Sequence, residues 1–412
     1  MADIAPSRPD LKNPDLYIEA MPHALFGQLR RDERVYWNAE SDGPGFWAVL
    51  RHDDIVEVSR QPGLYSSAHA HGGHRIFNEN EVGLTGAGDS AIGIPFISID
   101  PPLHTQYRKL MMPAVAPGRL AGIEDRIVAR TAALLDAIEP GRPVDMVQAL
   151  SAPLPLMTLC ELLDLPPDVD WRDLYHWTNA FVGEDDPEFR QSPEAMGAIL
   201  ASFFALMQRL FAARRHGPGN DVVTLLASAD VNGEPTQFRD FLGNMILTLV
   251  GANETTRNSL SHTMVNFAAN PAQWDMVRAD PAILTTAVRE MVRHASPVIH
   301  MRRTATADTV LGGKAIKRGD KVVLWYASGN RDETVFDRPD AFDITRGNIQ
   351  HLGFGHGQHV CVGSRLAEMQ LRVAFRLLAG RVKRFDLLSP PRRFRSNFIN
   401  GLKTLEMILE PA

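Results

Sequence analysis

Apolar residues recur at a helical period through most of the chain. The segments 119–138, 147–164, 193–214, 236–269 and 282–294 each carry an apolar stripe and end near Gly, Pro or Asn, which predicts five helices. From Ser364 onward Leu366, Met369, Val373 and Leu377 keep that period while Arg365, Glu368 and Arg372 fall off the stripe, so another helix begins there. Strand patterns are short. "GFWAVLRHDDIVEVSR" (45–60) runs from aromatic and β-branched residues into a short helix, and "DKVVLWYAS" (320–328) repeats the strand type. The pattern predicts a mainly α protein with small β-sheets, most of them near the N-terminus or after residue 297. No linker, repeat or low-complexity tract divides the chain, so 1–412 is expected to form a single domain.

One helix departs from the simple pattern. Phe241 to Val250 is nearly all apolar, as for a helix through the middle of a core, yet Gly251, Ala252, Asn253, Glu254, Thr255 and Thr256 follow at once. Leu260, Met264 and Phe267 then resume the stripe. Small and polar residues inside a buried helix need a purpose, because each buried unpaired polar group costs about 1–3 kcal/mol. Threonine can bond back to a carbonyl and bend the helix, and small residues leave room beside it.

Composition narrows the class. The 412 residues are 44% hydrophobic and 22% charged with a net charge of −6, enough for a large core and against a general affinity for nucleic acid or anionic membrane. The polar, proline-rich "MADIAPSRPDLKNPD" is not a signal peptide, and no uninterrupted apolar run approaches a membrane span, so a cytoplasmic protein is expected. Only Cys160 and Cys361 are present, which excludes a disulfide framework. Cys160 lies in apolar "PLPLMTLCELLDL" and reads as packing.

Cys361 is different. It sits in "HLGFGHGQHVCVGSRLAEMQLR" (351–372), crowded by glycines at 353, 355, 357 and 363 and placed just ahead of a helix N-terminus. Free amides and the helix dipole there favour a thiolate, and a loop of bare backbone lets a flat or bulky group press close. A thiolate so presented suits a metal. Three other groupings are weaker. His104 and Arg108 in "DPPLHTQYRKL" lie four apart and form one helix face, either a grip for an anion or a solvated surface pair. Glu290 and Arg293 in "AVREMVRH", and Arg302 and Arg303 in "HMRRTATADTVLGG", say little alone. His69, His71 and His74 in "SSAHAHGGH" have a spacing that can ligate zinc or nickel, against the plainer reading of a flexible surface loop.

Taken together, these stretches resemble the cytochrome P450 family of haem-thiolate monooxygenases over nearly the whole chain. The most specific match is Phe354-Gly355-x-Gly357-x-His359-x-Cys361-x-Gly363, the family's haem-binding loop. The resemblance implies the family fold, a triangular-prism helical domain with a β-rich region, and haem b (iron protoporphyrin IX) held by Cys361 as the axial ligand. It implies that His104, Arg108, Arg303 and His359 bind the haem acid groups, beside Phe354 and Gly355. Glu290 and Arg293 match the family's buried Glu-x-x-Arg pair, completed by Arg346 of "FDITR", in a structural role. Glu254 and Thr255 match the acid and alcohol of the oxygen-activation segment, where Ala252 stands in place of the family's usual glycine.

The implied reaction inserts one oxygen atom of O2 into a C–H bond of a small apolar substrate. Electrons from NAD(P)H would arrive through separate partners, an acidic ferredoxin and its reductase, with Arg108, Lys109 and Arg365 near the docking face. "GPGFWAVLRH", "NETTRN", "LWYASGNRDE", "RLAEMQLR" and "SNFINGLK" are similar to the bacterial group that oxidises terminal methyl groups of alkanes, isoprenoids and steroid side chains. "GGHRIFNENEVGLT" and "FVGEDDPEFR" carry a narrower likeness to the linalool hydroxylases, implying hydroxylation of linalool at its terminal allylic methyl group. Phe77, Leu84, Phe96, Phe181, Val298 and Phe398 would then line the pocket, with Asn253 or Asn78 bonding the alcohol. Alternatives are terminal hydroxylation of alkanes, fatty acids or steroid side chains, a peroxygenase, and a non-catalytic haem-based sensor or ligand carrier. The acid–alcohol pair Glu254–Thr255 speaks against the last two.

Overall fold

The computed structural model describes residues 9–40, 43–76 and 92–412. Nine helices frame the discussion: α1 His52–Ser59, α2 Leu103–Met111, α3 Pro117–Asp136, α4 Pro153–Leu162, α5 Trp171–Val182, α6 Pro193–Arg214, α7 Phe238–Ala269, α8 Leu284–Ala295 and α9 Ser364–Ala379. The predicted helix 147–164 divides. Val147–Ser151 forms a wide turn, and Pro153, which has no N–H to bond backward, opens α4 instead of continuing it.

α6 carries a reading that sequence inspection missed, since it is long and apolar enough to cross a bilayer. Its large residues Ile199, Phe203, Leu206, Met207, Leu210 and Phe211 are all buried, and Phe211 packs on Phe238 and Phe241 of α7 at 5.5 and 5.2 Å between ring centres. Packing on the core accounts for this face, while 33% of its most apolar stretch is buried in all.

The main sheet joins both ends of the chain. β1 (Val35–Asn38), β2 (Phe46–Val49), β3 (Tyr65–Ser66), β4 (Met301–Ala305) and β5 (Lys321–Leu324) lie in the order β1-β2-β5-β4-β3. β1 and β2 are antiparallel with Val35 against Val49, and β5 runs parallel to β2 with Val322 against Trp47. Every residue of β5 is buried. Val323 faces one cluster with Phe46, Ala48 and Trp325, while Val322 and Leu324 face another with Ile55, Val58 and Tyr65. The third and largest cluster is helical and surrounds α7.

α7 runs unbroken through Gly251–Thr256. Its polar side chains bond their own helix: Thr248 donates to Asn244 O (2.8 Å), Thr255 to Gly251 O (2.9 Å), Ser259 to Thr255 O (2.8 Å) and Thr263 to Ser259 O (2.7 Å). Each hydroxyl has a carbonyl one turn back, so the helix carries them without orphaned donors. Gly243 serves a different need, since a Cβ there would meet the Gly93 carbonyl at 2.1 Å.

Candidate active site

Cys361 lies three residues before α9, its own N–H donating to Phe354 O at 2.8 Å. The interior position pushes its thiol up, while the amides of Gly363 and Ser364 and the charge of Arg108 pull it down. Although enclosed by protein, the residue keeps accessible surface. The helix terminus thus acts as expected on the sulfur, but in the metal-free chain burial outweighs it; a cation at the sulfur would reverse that balance.

The loop glycines answer more than one demand. Gly355 and Gly357 both sit at φ +70°, a region costly for side chains with a Cβ. At Gly357 a Cβ would also strike the Ser59 carbonyl of α1 at 2.1 Å, and at Gly353 it would strike Val292 of α8 at 2.6 Å. These two glycines therefore let the loop press on its own protein, a demand separate from the room left for a flat or bulky group. Gly363 is the one beside the sulfur, its Cβ position 3.9 Å from Sγ.

Positive and imidazole side chains gather around this loop. Arg108 of α2 donates to Val360 O at 2.6 Å, and the His104 ring lies 4.1 Å from that of His359 between centres. His104 is buried and neither of its ring nitrogens has a partner among the described residues, which overturns the solvated surface pair. His359 Nε2 is 3.3 Å from Ser67 Oγ. Burial, then the Arg108 charge, lowers His104 to about 4; burial, then Arg303, lowers His359 to about 2. Arg303 is buried and donates to Arg302 O at 2.7 Å. Buried donors lacking anions are costly, and two carboxylates would satisfy them. The acid groups of a haem fit this set, and Cys361 fits its iron. His104, Arg108, Arg303 and His359 would hold the acids.

The open face of α7 bears Gly251, Ala252 and Thr255, which keep accessible surface, whereas Asn253, Glu254 and Arg257 on the other side are buried. Glu254 is bound to Arg257 Nη2 at 2.5 Å and accepts from Asn253 Nδ2 at 3.1 Å. Burial raises its carboxyl, and Arg257 opposes that shift. Asn253, expected to meet a substrate alcohol, instead donates to Thr178 of α5 at 2.9 Å. Its position two residues beyond Gly251 turns it about 200° from the open face, a rotation that the periodicity alone already contained.

The remaining expected pocket residues disperse. Phe77, Asn78 and Leu84 lie outside the described residues. Phe96 is half-buried 5.9 Å from the His104 ring, and its N–H donates to Asn244 Oδ1 at 2.8 Å. Phe181 is core packing, edge-on to Phe203 at 5.4 Å. Val298 is half-buried and bridges to Ile399; Phe398 is buried against the His300 ring at 5.4 Å and beneath the Arg75 guanidinium at 4.5 Å.

Glu290 and Arg293 form a fully buried pair at 2.6 and 2.8 Å, and Arg346 reaches Glu290 at 3.4 Å. The histidine-rich segment lies at the surface, with His71 exposed, and is tied to its neighbours. His69–His71 is a single 3₁₀ turn, His71 and His74 lie 2.8 and 2.6 Å from Ser66 and Ser98 hydroxyls, and Thr304 of β4 donates to His71 O at 2.6 Å. Among the described residues no group of three His, Cys, Asp or Glu side chains is placed to hold a metal ion.

A cysteine before a helix terminus, with the buried His104 and Arg303 and the half-buried Arg108 and His359 around it, inside a helical fold with a hydroxyl-bearing central helix, fits a haem-binding protein. Residues 161–405 match the family model described as cytochrome P450. The chain is 66% identical over 404 residues to a linalool 8-monooxygenase of Pseudomonas putida, covering 98% of this chain and 99% of that protein. It is 32% identical over 415 residues to a steroid C26-monooxygenase of Rhodococcus jostii, covering 97% and 84%. A solved Mycobacterium marinum cytochrome P450 in complex with pseudoionone superposes with a TM-score of 0.88 at 32% identity, covering 98% and 100%. The chain belongs to the cytochrome P450 family and is a haem-dependent monooxygenase.

Proposed function

We propose that this enzyme hydroxylates linalool at carbon 8, its terminal allylic methyl group. The observation that carries this reading is the 66% identity, spread over 98% of the chain, to a linalool 8-monooxygenase. When bound, haem supplies the activation of O2, one oxygen atom entering the C–H bond and the other leaving as water with two electrons and two protons. The rest of the chemistry belongs to the protein.

Cys361 would hold the haem iron through its sulfur, and its amide neighbours Gly363 and Ser364 stabilise the negative charge there. His104, Arg108, Arg303 and His359 anchor the acid groups. Thr255 is the alcohol of the site: its hydroxyl donates to Gly251 O and turns its lone pairs toward the site, where they hold a proton-delivering water. Glu254 refills it. Because that carboxylate sits on Arg257, the refilling step requires Glu254 to leave Arg257. Glu290, Arg293 and Arg346 hold the core beside the cysteine loop. The chain acts as one cytoplasmic domain and draws electrons from NAD(P)H through a reductase and an acidic ferredoxin. Lys109 and Arg365 are exposed and receive the ferredoxin; Arg108 is half-buried, bonded to Val360 O and kept for the acid groups.

Reconstituted with a ferredoxin and its reductase, the enzyme should turn over linalool faster than octane, lauric acid or cholestenone. Preference for any of those three leaves a monooxygenase but removes the linalool assignment.

A further inference from the structure

We propose that Thr248 is a specificity-determining residue, the hydrogen-bond acceptor for the substrate's alcohol. The inference rests on the linalool reading and deepens it.

Thr248 precedes Thr255 by seven residues on α7. At 100° per residue they point within about 20° of one another, about 10.5 Å apart along the axis. Thr248 keeps accessible surface, as do Gly251, Ala252 and Thr255 on the same face, while Asn253, Glu254 and Arg257 are turned into the core. Of the nearest positions on that face, Met245, Gly251 and Ala252 carry no polar side chain, and the amide of Asn244 is engaged with Asp240 O and Phe96 N.

The hydroxyl has one proton, and it is spent. Thr248 Oγ1 donates to Asn244 O at 2.8 Å. Asn244 is itself fixed, its Oδ1 accepting from Phe96 N at 2.8 Å and its Nδ2 donating to Asp240 O at 2.8 Å. What Thr248 offers outward is therefore lone pairs only. An acceptor without a donor, set among apolar groups, selects a ligand that brings its own proton. An alcohol meets that demand; an ether, ester or ketone oxygen faces another acceptor.

The spacing fits the reaction. From the linalool hydroxyl oxygen to carbon 8 runs a chain of six bonds of about 1.5 Å each, roughly 7–8 Å when extended. With a hydrogen bond of about 2.8 Å from Thr248 added, the far methyl group lies roughly 10–11 Å away, against the about 10.5 Å of helix rise that separates Thr248 from Thr255. An alcohol docked on Thr248 places the far methyl group beside Thr255. Asn253 cannot take this role, because its amide is engaged with Thr178 and Glu254.

The test uses the holoenzyme and its Thr248→Val and Thr248→Ser variants, with linalool and its O-methyl ether as paired ligands. Dissociation constants come from spin-state titration and equilibrium dialysis, product positions from chromatography. One neutral hydrogen bond corresponds to a change of about 2- to 12-fold. Thr248→Val should weaken linalool by that factor and spread oxidation to other carbons, while leaving the ether unchanged; Thr248→Ser should restore both. Wild type should prefer linalool over the ether, and Thr248→Val should not. If wild type binds both equally, or Thr248→Val keeps the wild-type ratio while linalool is still oxidised, Thr248 is not the acceptor. Wild type that fails to bind linalool overturns the functional reading and this assignment with it.

Discussion

Removing Glu290 should unsettle the protein by an amount that its surroundings specify. Arg293 is fully buried and uses every N–H: two meet Glu290, and the others meet Asn330 O (2.6 Å), Pro339 O (2.7 Å) and Ala341 O (2.9 Å). Glu290→Ala leaves the guanidinium charge in place with its counter-charge gone. Breaking a buried pair from one side costs about 3–5 kcal/mol, a large part of the roughly 5–15 kcal/mol that holds an ordinary domain. Arg293→Met is expected to be worse. It leaves Glu290 with the Asp343 N–H (2.8 Å) and the longer contact to Arg346 (3.4 Å), and it takes one donor from each of the carbonyls of Asn330, Pro339 and Ala341, at about 1 kcal/mol each. Urea unfolding of the haem-loaded proteins, compared at constant m, measures both losses. A Glu290→Ala midpoint within error of wild type, or a milder effect from Arg293→Met than from Glu290→Ala, would refute this account.

Other outcomes follow from the same coordinates. Cys361→His should load haem yet lose the red-shifted Soret band of the reduced carbon monoxide complex; a haem-replete variant that keeps the band removes Cys361 as ligand. Thr255→Ala should bind linalool within about twofold of wild type while product formed per NADH falls several-fold, since the hydroxyl acts after binding; unchanged coupling takes Thr255 out of proton delivery. His262, bonded through Nε2 to Asn400 O at 3.0 Å, is lowered from 6.5 to about 3 by burial, then by Arg393. Its folded pKa lies below its unfolded one, so its contribution is full above pH 6.5 and is lost as pH falls toward 3. Between pH 7 and 5 it should account for about 2 kcal/mol of lost stability. Denaturant titrations at the two pH values should show that difference shrink in His262→Gln, and an equal loss in both proteins contradicts the reasoning.

Much of this site was readable in the residues because the haem loop is local: Cys361, its glycines and α9 are neighbours in sequence. The helices 193–214 and 236–269 were legible for a related reason, each carrying enough turns for the period to declare itself. What escaped depends on partners far away in the chain. Gly357 answers to Ser59, and no local pattern announces a carbonyl three hundred residues earlier. Asn253 was assigned by residue type when its helical angle pointed elsewhere. Thr248 went unnoticed inside "MILTLVG" because one hydroxyl in an apolar run reads as packing, and only its bond to Asn244 O shows which half of its hydrogen-bonding capacity is left. His74 looked like a surface residue until Ser98, from a segment 24 positions on, met its ring.

The sheet order has a consequence for how the chain comes into being. Trp47 of β2 lies beside Val322 of β5, 275 positions later (322 − 47). At a synthesis rate of about 5–20 residues per second, β1 and β2 wait roughly 15–55 s before their inner neighbour exists. Until then they are a hairpin, marginal in water on its own. Some helix contacts between them close sooner, as where α4 packs on α7, while α3 waits longer still for α9. The first sixty residues are thus born early and completed late, and a nascent chain halted before residue 321 would carry an unsheltered strand edge.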